Sequence, residues 1–407
     1  MRRILSNARI IDGTGEVLAD RFIVVADRTI ADIAPMSRFP ETPAGEVLDV
    51  SGLSVMPGMI DCHVHLSIDG DADPIAQVVG DTAAMSVLRM ARNAERTIAA
   101  GVTTVRDLGA RGHIDMSFRR ALAEGLPMAA PRLVLSGRPV TMTGGHCRQF
   151  GRQADGVDDA RRAAREQIRA GADCIKLMAT GGILTQGNEI GAAQLEEAEM
   201  RAAIEEADKA GKLSAVHAHG ASGIKNGIRA GVQSVEHAYF LDDDGIDMML
   251  ERGVWLVPTA AAVDLVVKNG IGSGIPPDVV EKAGSAVESQ RASCARALKS
   301  GVRIAMGTDA GTPCNRHGEN ARELAALVSL GMTPMDAIRA TTIRGAELLG
   351  LSDRLGTVQV GKTADILVVD GDPLADISIL RARQRIPMVF QDGEIVARRG
   401  EIVASGS

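Results

Sequence analysis

Between residues 57 and 354 the chain repeats one pattern eight times: a short, glycine-led apolar run ends in a polar cluster, and a helical stretch follows. After an opening run within residues 56–66, the runs fall at 102–105, 133–136, 174–178, 213–217, 234–237, 254–258 and 302–307. Between most of them lie amphipathic segments, such as 81–99, 158–170, 194–210, 279–299 and 334–349, with the three- and four-residue apolar spacing of a helix. A helix between successive strands returns the chain to the same end of the sheet, so this alternation predicts parallel pairing. Eight repeats predict a (β/α)8 TIM barrel, whose functional groups gather at the C-terminal ends of the strands. An open doubly wound sheet would carry a Gly-x-Gly-x-x-Gly turn after an early strand, and none is present.

The two ends read differently. Short β segments separated by Gly/Asp turns fall at 4–11 and 21–25, and the same texture returns at 356–358, 364–369, 388–391 and 394–397. The expectation is a small β-sandwich assembled from residues 1–56 and 355–407, attached to a barrel spanning 57–354. With 45% hydrophobic but only 2% aromatic residues, the core must be built from Ala, Val, Ile, Leu and Met, as parallel α/β proteins often are.

Charge and cysteine usage narrow the function classes. The net charge is -7 with both signs interspersed, and no Lys/Arg block or aromatic-basic patch favours nucleic acid, so a small-molecule partner is expected. The five cysteines, Cys62, Cys147, Cys174, Cys294 and Cys314, are odd in number, scattered and never spaced Cys-x-x-Cys. That argues against a disulfide framework and a Cys-type zinc site, and it fits a reducing cytoplasm. No run approaches ~18 apolar residues, so neither membrane insertion nor export is expected.

The chemistry is concentrated at the predicted strand ends. The first run ends in His63-Val64-His65, and side chains two apart on a strand share a face, so both imidazoles can approach one metal ion. Alone, such a pair is more often a buried, hydrogen-bonded strand than half a zinc site. Here the fourth run carries Lys176, the fifth ends in His217 and His219, the sixth in His237, and the eighth in Asp309. Zinc takes imidazole nitrogen and carboxylate oxygen, and a catalytic site leaves one position open for water. A lysine ammonium beside two dications would be repelled, so Lys176 must there be neutral or converted to a carbamate; its other reading is a cation for a substrate carboxylate or phosphate. His217 and His219 compete for one ligand position, and His217 lies nearer the strand.

Asp309 has two compatible roles, metal anchor and proton carrier, against the plainer one of a turn or cap aspartate. His146, in Thr143-Gly144-Gly145-His146, is placed to bond a substrate carbonyl or oxyanion if it is not a surface loop residue. Tyr239, the sole tyrosine, reads equally as a substrate-carboxylate contact or as packing. Arg148 is a weaker carboxylate candidate and reads first as a solvated arginine. His113 and His317 read as cap or surface residues, Cys62 as packing, and the glycine-rich segment 268–277 as an ordinary surface loop rather than a rim over the mouth.

On these residues the sequence resembles the amidohydrolase superfamily, metal-dependent hydrolases on a (β/α)8 barrel. The fourth-strand lysine followed by Met178-Ala179-Thr180-Gly181-Gly182, the His217-Ala218-His219-Gly220 segment and Glu236-His237-Ala238-Tyr239-Phe240 resemble the imidazolonepropionase-related branch, especially its prolidase-like, dipeptide-hydrolysing members. The resemblance implies two divalent ions, usually zinc. His63, His65 and Asp309 would hold one, His217 and His237 the other, and Lys176 carboxylated by carbon dioxide would bridge them. Related deaminases place a Glu three positions after the fifth-strand histidine; Gly220 stands there instead, which counts against deamination.

The expected activity is therefore binuclear amide-bond hydrolysis, as a prolidase-like dipeptidase or carboxypeptidase acting on dipeptides or N-acyl amino acids. A hydroxide bridging the ions would attack, His146 would assist at the oxyanion, Asp309 would protonate the leaving nitrogen, and His146, His219, Tyr239 and Arg148 would contact substrate. The alternatives are a cyclic amide hydrolase or deaminase, and a noncatalytic metal-binding scaffold. A homo-oligomer is expected.

Overall fold

The computed structural model describes residues 2–126 and 128–403. Residue 1 and residues 404–407, which the sequence assigns to the terminal unit, lie outside the described residues.

The alternation read from the sequence folds as parallel strands joined by helices. Met59–Val64, Val102–Asp107 and Arg132–Leu135 pair in that order as a three-stranded parallel sheet. A six-stranded parallel sheet follows, ordered Arg152–Gln153, Val140–Thr141, Cys174–Met178, Leu213–Ala218, Ser234–His237 and Trp255–Val257. Every residue of Met59–Val64, Cys174–Met178 and Ser234–His237 is buried, as expected of strands covered on both faces. In register, Met178 stands opposite His217 and Ala218 opposite His237, so the polar strand ends fall at one level.

Regular strand pairing thus forms two parallel sheets, and single parallel bridges, Leu256 to Ile304 and Val64 to Ala310, join the eighth run to both. The eighth run is an irregular connector instead of a regular strand. Leu256 N–H donates to Arg303 O (2.9 Å) and Ala305 N–H to Leu256 O (3.1 Å), while on the other side Cys62 N–H donates to Met306 O (2.9 Å) and Asp309 N–H to His63 O (2.7 Å). The backbone here cannot keep a regular ladder. Asp309 sits at φ +57°, and a Cβ on Gly307 would lie 2.9 Å from His63 Cβ.

The helices follow their sequence signals. Ala83–Ala99 is capped by Thr82, whose hydroxyl accepts from Met85 N–H, and it buries Met90, Ala94 and Ile98 against the sheet. Burying Met90 and Ile98 contributes roughly 2 kcal/mol each. Glu196 and Glu199 form a capping box before Glu197–Lys209. The segment predicted at 334–349 divides into Pro334–Ala340 and Ile343–Leu348. Among the described residues no helix is long and apolar enough to cross a membrane.

Both chain ends meet in one nine-stranded sheet instead of a two-layered sandwich. Its order is Glu401–Ile402, Glu394–Arg398, Met388–Gln391, Ile366–Val369, Ser54–Pro57, Arg2–Ile11, Val17–Ala26 and Thr29–Pro35, with Glu46–Asp49 also pairing Arg2–Ile11. The sheet curls, since Thr29 bridges Thr363 although their strands lie far apart in that order. Alternation sorts its side chains: Val55, Ile366 and Val368 join Leu5, Ile10, Ile23 and Phe390 within the curl, whereas Met56, Leu367 and Val369 pack into the core of the parallel sheets. The first parallel strand therefore starts from a fixed base.

Candidate active site

The ten residues singled out in the sequence, His63, His65, His146, Arg148, Lys176, His217, His219, His237, Tyr239 and Asp309, all line one pocket. Its empty space, mouth included, is about 920 Å³.

His63 and His65 leave the first strand on one face and meet Asp309. His63 Nε2 and His65 Nε2 lie 3.3 and 3.4 Å from Asp309 Oδ1, and the ligand atoms of the three residues lie within 4.8 Å of one another. Each ring is held at its other nitrogen, His63 Nδ1 by Glu236 Oε2 (2.8 Å) and His65 Nδ1 by Gly109 O (3.3 Å). A carboxylate or carbonyl on Nδ1 fixes ring orientation and leaves Nε2 for a metal. Burial, with Lys176 adding to it, holds His63 down at about 4, so the ring is neutral near pH 7. Burial alone would raise the Asp309 carboxyl, yet His63, His65 and His237 hold it far below the usual range.

Three supporting residues went unrecognised in the sequence. Glu236 is fully buried and shared between His63 and Arg106, whose guanidinium lies 3.0 Å from Glu236 Oε1 and also donates to Cys62 O (2.6 Å). Burial would raise Glu236, but Arg106 and His63 hold it at about 2, so a carboxylate anion faces His63. Asp61 accepts from the N–H groups of His63 (3.1 Å) and Thr308 (3.0 Å), the Thr308 hydroxyl (2.6 Å) and Asn320 Nδ2 (2.7 Å). It thereby ties the first strand to the segment that carries Asp309. For Glu236 and Asp61 the only signal was adjacency, since Glu236 precedes His237 and Asp61 stands two before His63, and Arg106 carried none.

The opposite wall is less satisfied. His217 and His237 have ring centroids 4.7 Å apart, and His237 Nδ1 is held by Thr259 Oγ1 (2.7 Å). His217 Nε2 and Lys176 Nζ, both buried, have no hydrogen-bond partner among the described residues. An orphaned buried amine costs several kcal/mol if charged, and burial lowers the Lys176 pKa accordingly. Burial also drives His217 and His237 well below the usual imidazole value. A neutral lysine amid neutral imidazoles is the state that can add carbon dioxide and ligate metal. Nitrogen and oxygen donors of this kind fit zinc.

His146 stacks on His217 at 4.2 Å, and its Nδ1 lies 2.6 Å from Thr185 Oγ1. That approach depends on Gly182, where a Cβ would fall 2.8 Å from His146 Cε1 and 3.0 Å from His217 Cε1. Tyr239 packs against the His219 ring at 4.1 Å, and His219 Nδ1 is buried without a hydrogen-bond partner among the described residues. Arg148 is half-buried at the pocket wall instead of solvated, and its guanidinium has no partner among the described residues. The remaining wall is apolar, with Ile68, Ile75, Phe150, Ile183, Leu184, Val263 and Val266.

Two further histidines were read as cap or surface residues. His113 is the N-cap of Ile114–Ala123, half-buried, with Nε2 2.7 Å from Gln167 Oε1. His317 is buried, its Nε2 reaching Ile68 O (2.9 Å) and His65 O (3.2 Å), because the loop after Asp309 folds back under the first strand. Cys62 is buried packing, as its alternation away from His63 predicts. The segment 268–277 does not line the pocket; Ile271 is exposed, while Ile275 packs in a cluster with Tyr239.

The sequence matches a model described as the amidohydrolase family over residues 54–396. Ochratoxinase of Aspergillus niger is 29% identical over 95% of this chain and 85% of its own length. Imidazolonepropionase of Micrococcus luteus is 26% identical over 88% of this chain and 90% of its own. A crystal structure of a Xaa-Pro dipeptidase with methionine bound in its active site superposes with a TM-score of 0.90 at 32% identity, covering 97% of this chain and 99% of that one.

Proposed function

The chain belongs to the amidohydrolase family, and from that premise we propose that it is a binuclear metal-dependent hydrolase that releases the C-terminal residue of dipeptides or N-acyl amino acids. The observation that carries the reading is the orphaned Lys176 Nζ, buried in the same pocket as His63, His65, His217, His237 and Asp309. In this reading His63, His65 and Asp309 would hold one ion and His217 and His237 the other, with carboxylated Lys176 as a further ligand, and the ions would supply Lewis acidity and a water of lowered pKa. The two parallel sheets and residues 302–309 are then parts of one (β/α)8 barrel at 57–354, with residues 1–56 and 355–407 as an accessory unit. All five cysteines are free, which supports a reducing, cytoplasmic setting.

The chain's own residues account for the rest. Asp309 takes the proton of the attacking water at its carboxylate and returns it to the departing nitrogen. Thr185 Oγ1 already accepts from Gly182 N–H (2.9 Å), so its hydrogen is free for His146 Nδ1. The His146 proton then sits on Nε2, where it donates to the developing oxyanion. Arg148, with no partner among the described residues, pairs with the free carboxylate of the substrate, with Tyr239 and His219 beside it. The apolar wall takes the substrate's side chains and excludes water.

Zinc-loaded protein should turn over free and N-acylated dipeptides and contain two metals per chain. Turnover confined to ring amides, or full activity with one metal per chain, would sink the proposal.

A further inference from the structure

A second cleft lies behind the catalytic pocket, and its chemistry is of the opposite kind. Six arginines line it: Arg89, Arg92 and Arg96 from one face of Ala83–Ala99, Arg316 from the loop after Asp309, and Arg381 and Arg383 from the C-terminal unit. Asp69 is paired with Arg89 and Arg92, Asp81 from outside the cleft lining also with Arg89, and Glu319 with Arg322. The guanidinium groups of Arg96, Arg316, Arg381 and Arg383 have no hydrogen bond or ion pair among the described residues. The acidic residues lining the cleft are Asp69, Asp71 and Glu319, so six cations face three anions in a chain whose net charge is -7. Holding like charges together without a counter-charge is unfavourable, and a multivalent anion relieves it.

The cleft is built rather than accidental. Gly70 (φ +77°) lets its loop close on the next, since a Cβ there would lie 2.4 Å from Asn315 O, and Gly318 (φ +86°) does the same against Arg96 O at 2.9 Å. Among the described residues no Phe, Tyr or Trp lines the cleft to stack a base, which disfavours single-stranded nucleic acid. The floor also touches the catalytic pocket. His317, which lines the cleft, reaches His65 O and Ile68 O, and Asn93 Nδ2 donates to Leu66 O (2.9 Å), Ile68 O (3.3 Å) and Asp69 Oδ1 (2.9 Å).

We propose that this cleft binds a small multivalent anion of the phosphate type, held by Arg96, Arg316, Arg381 and Arg383. The proposal does not depend on the amide chemistry.

The test is calorimetric titration of the full chain with pyrophosphate at fixed ionic strength, alongside thermal melting. Saturable binding of about one anion per chain and a raised melting temperature are expected. Arg96→Ala and Arg383→Ala should each weaken binding about tenfold, with anion-free melting no lower than that of the wild type, while Arg162→Ala on a helix outside the cleft should leave binding unchanged. Absence of saturable binding, equal affinity in the cleft variants, or citrate binding as tightly as pyrophosphate would overturn the assignment.

Discussion

The two walls of the pocket are built to different degrees of completion. On the His63–His65–Asp309 wall every imidazole nitrogen has a partner, and Glu236, Arg106 and Asp61 fix the rings and the aspartate from behind. On the Lys176–His217–His237 wall the buried Lys176 Nζ and His217 Nε2 have no hydrogen-bond partner among the described residues. The polypeptide fixes the first wall through more hydrogen bonds than the second. The difference predicts that metal enters and holds first at the finished wall.

Lys176→Ala breaks the unfinished wall and should have the largest effect. Turnover should fall about a thousandfold, metal content should drop from the proposed two per chain to one, and folding should be preserved because the removed amine makes no hydrogen bond among the described residues. Added acetate or propionate should restore part of the activity by occupying the vacated space. Retention of full turnover would show that the two walls do not work together.

Glu236→Gln breaks the finished wall from behind. It removes the counter-charge of Arg106 in a region with no exposure and weakens the hold on His63 Nδ1. Loss of a buried partner should cost about 3–5 kcal/mol in chemical denaturation, and affinity for the first metal should fall roughly 10- to 100-fold. A variant that melts like the wild type would mean that His63 is positioned by the metal and not by Glu236.

Gly182→Ala sharpens the comparison without removing a functional group. Its Cβ would meet His146 Cε1 and His217 Cε1 at 2.8 and 3.0 Å, so the rings must separate. We expect kcat to fall roughly 10- to 100-fold through misplacement of about 1 Å or less, with metal content retained. Unchanged kcat would remove His146 from the chemistry.

The sequence disclosed these walls unevenly, and the physics explains why. Residues at strand ends are legible because parallel topology sends them all to one side, so His63, His65, Lys176, His217, His237 and Asp309 could be found across nearly 250 residues of chain. Glu236, Arg106 and Asp61 were not legible. Their meaning lies in pairings between strands, and a buried Arg on one strand says nothing in sequence about which carboxylate it will meet. The eighth run read as a strand because it is apolar, but apolarity does not encode the positive φ of Asp309 or the close approach at Gly307. His317 read as a loop residue because its partners are carbonyl oxygens, which leave no trace in side-chain patterns.

The smallest expected effect tests a support that belongs to neither wall. Glu323 is fully buried and accepts from Ala260 N–H and Ala261 N–H, both at 2.8 Å, at the start of Ala260–Asn269, the helix that brings Val263 and Val266 to the pocket. Burial pushes its carboxyl up from 4.5 to about 8, outweighing those two bonds. A carboxyl raised in the folded state binds more protons there than when unfolded, so its contribution to stability is full below about pH 4.5 and is lost as pH climbs through about 8. The melting temperature should therefore carry a decline across that window that Glu323→Ala removes, at the cost of a lower melting temperature throughout, because two N–H groups lose their acceptor. If the wild-type and variant curves ran parallel in pH, Glu323 would be an anion at all working pH values, and the helix would be held by charge rather than by a neutral acid.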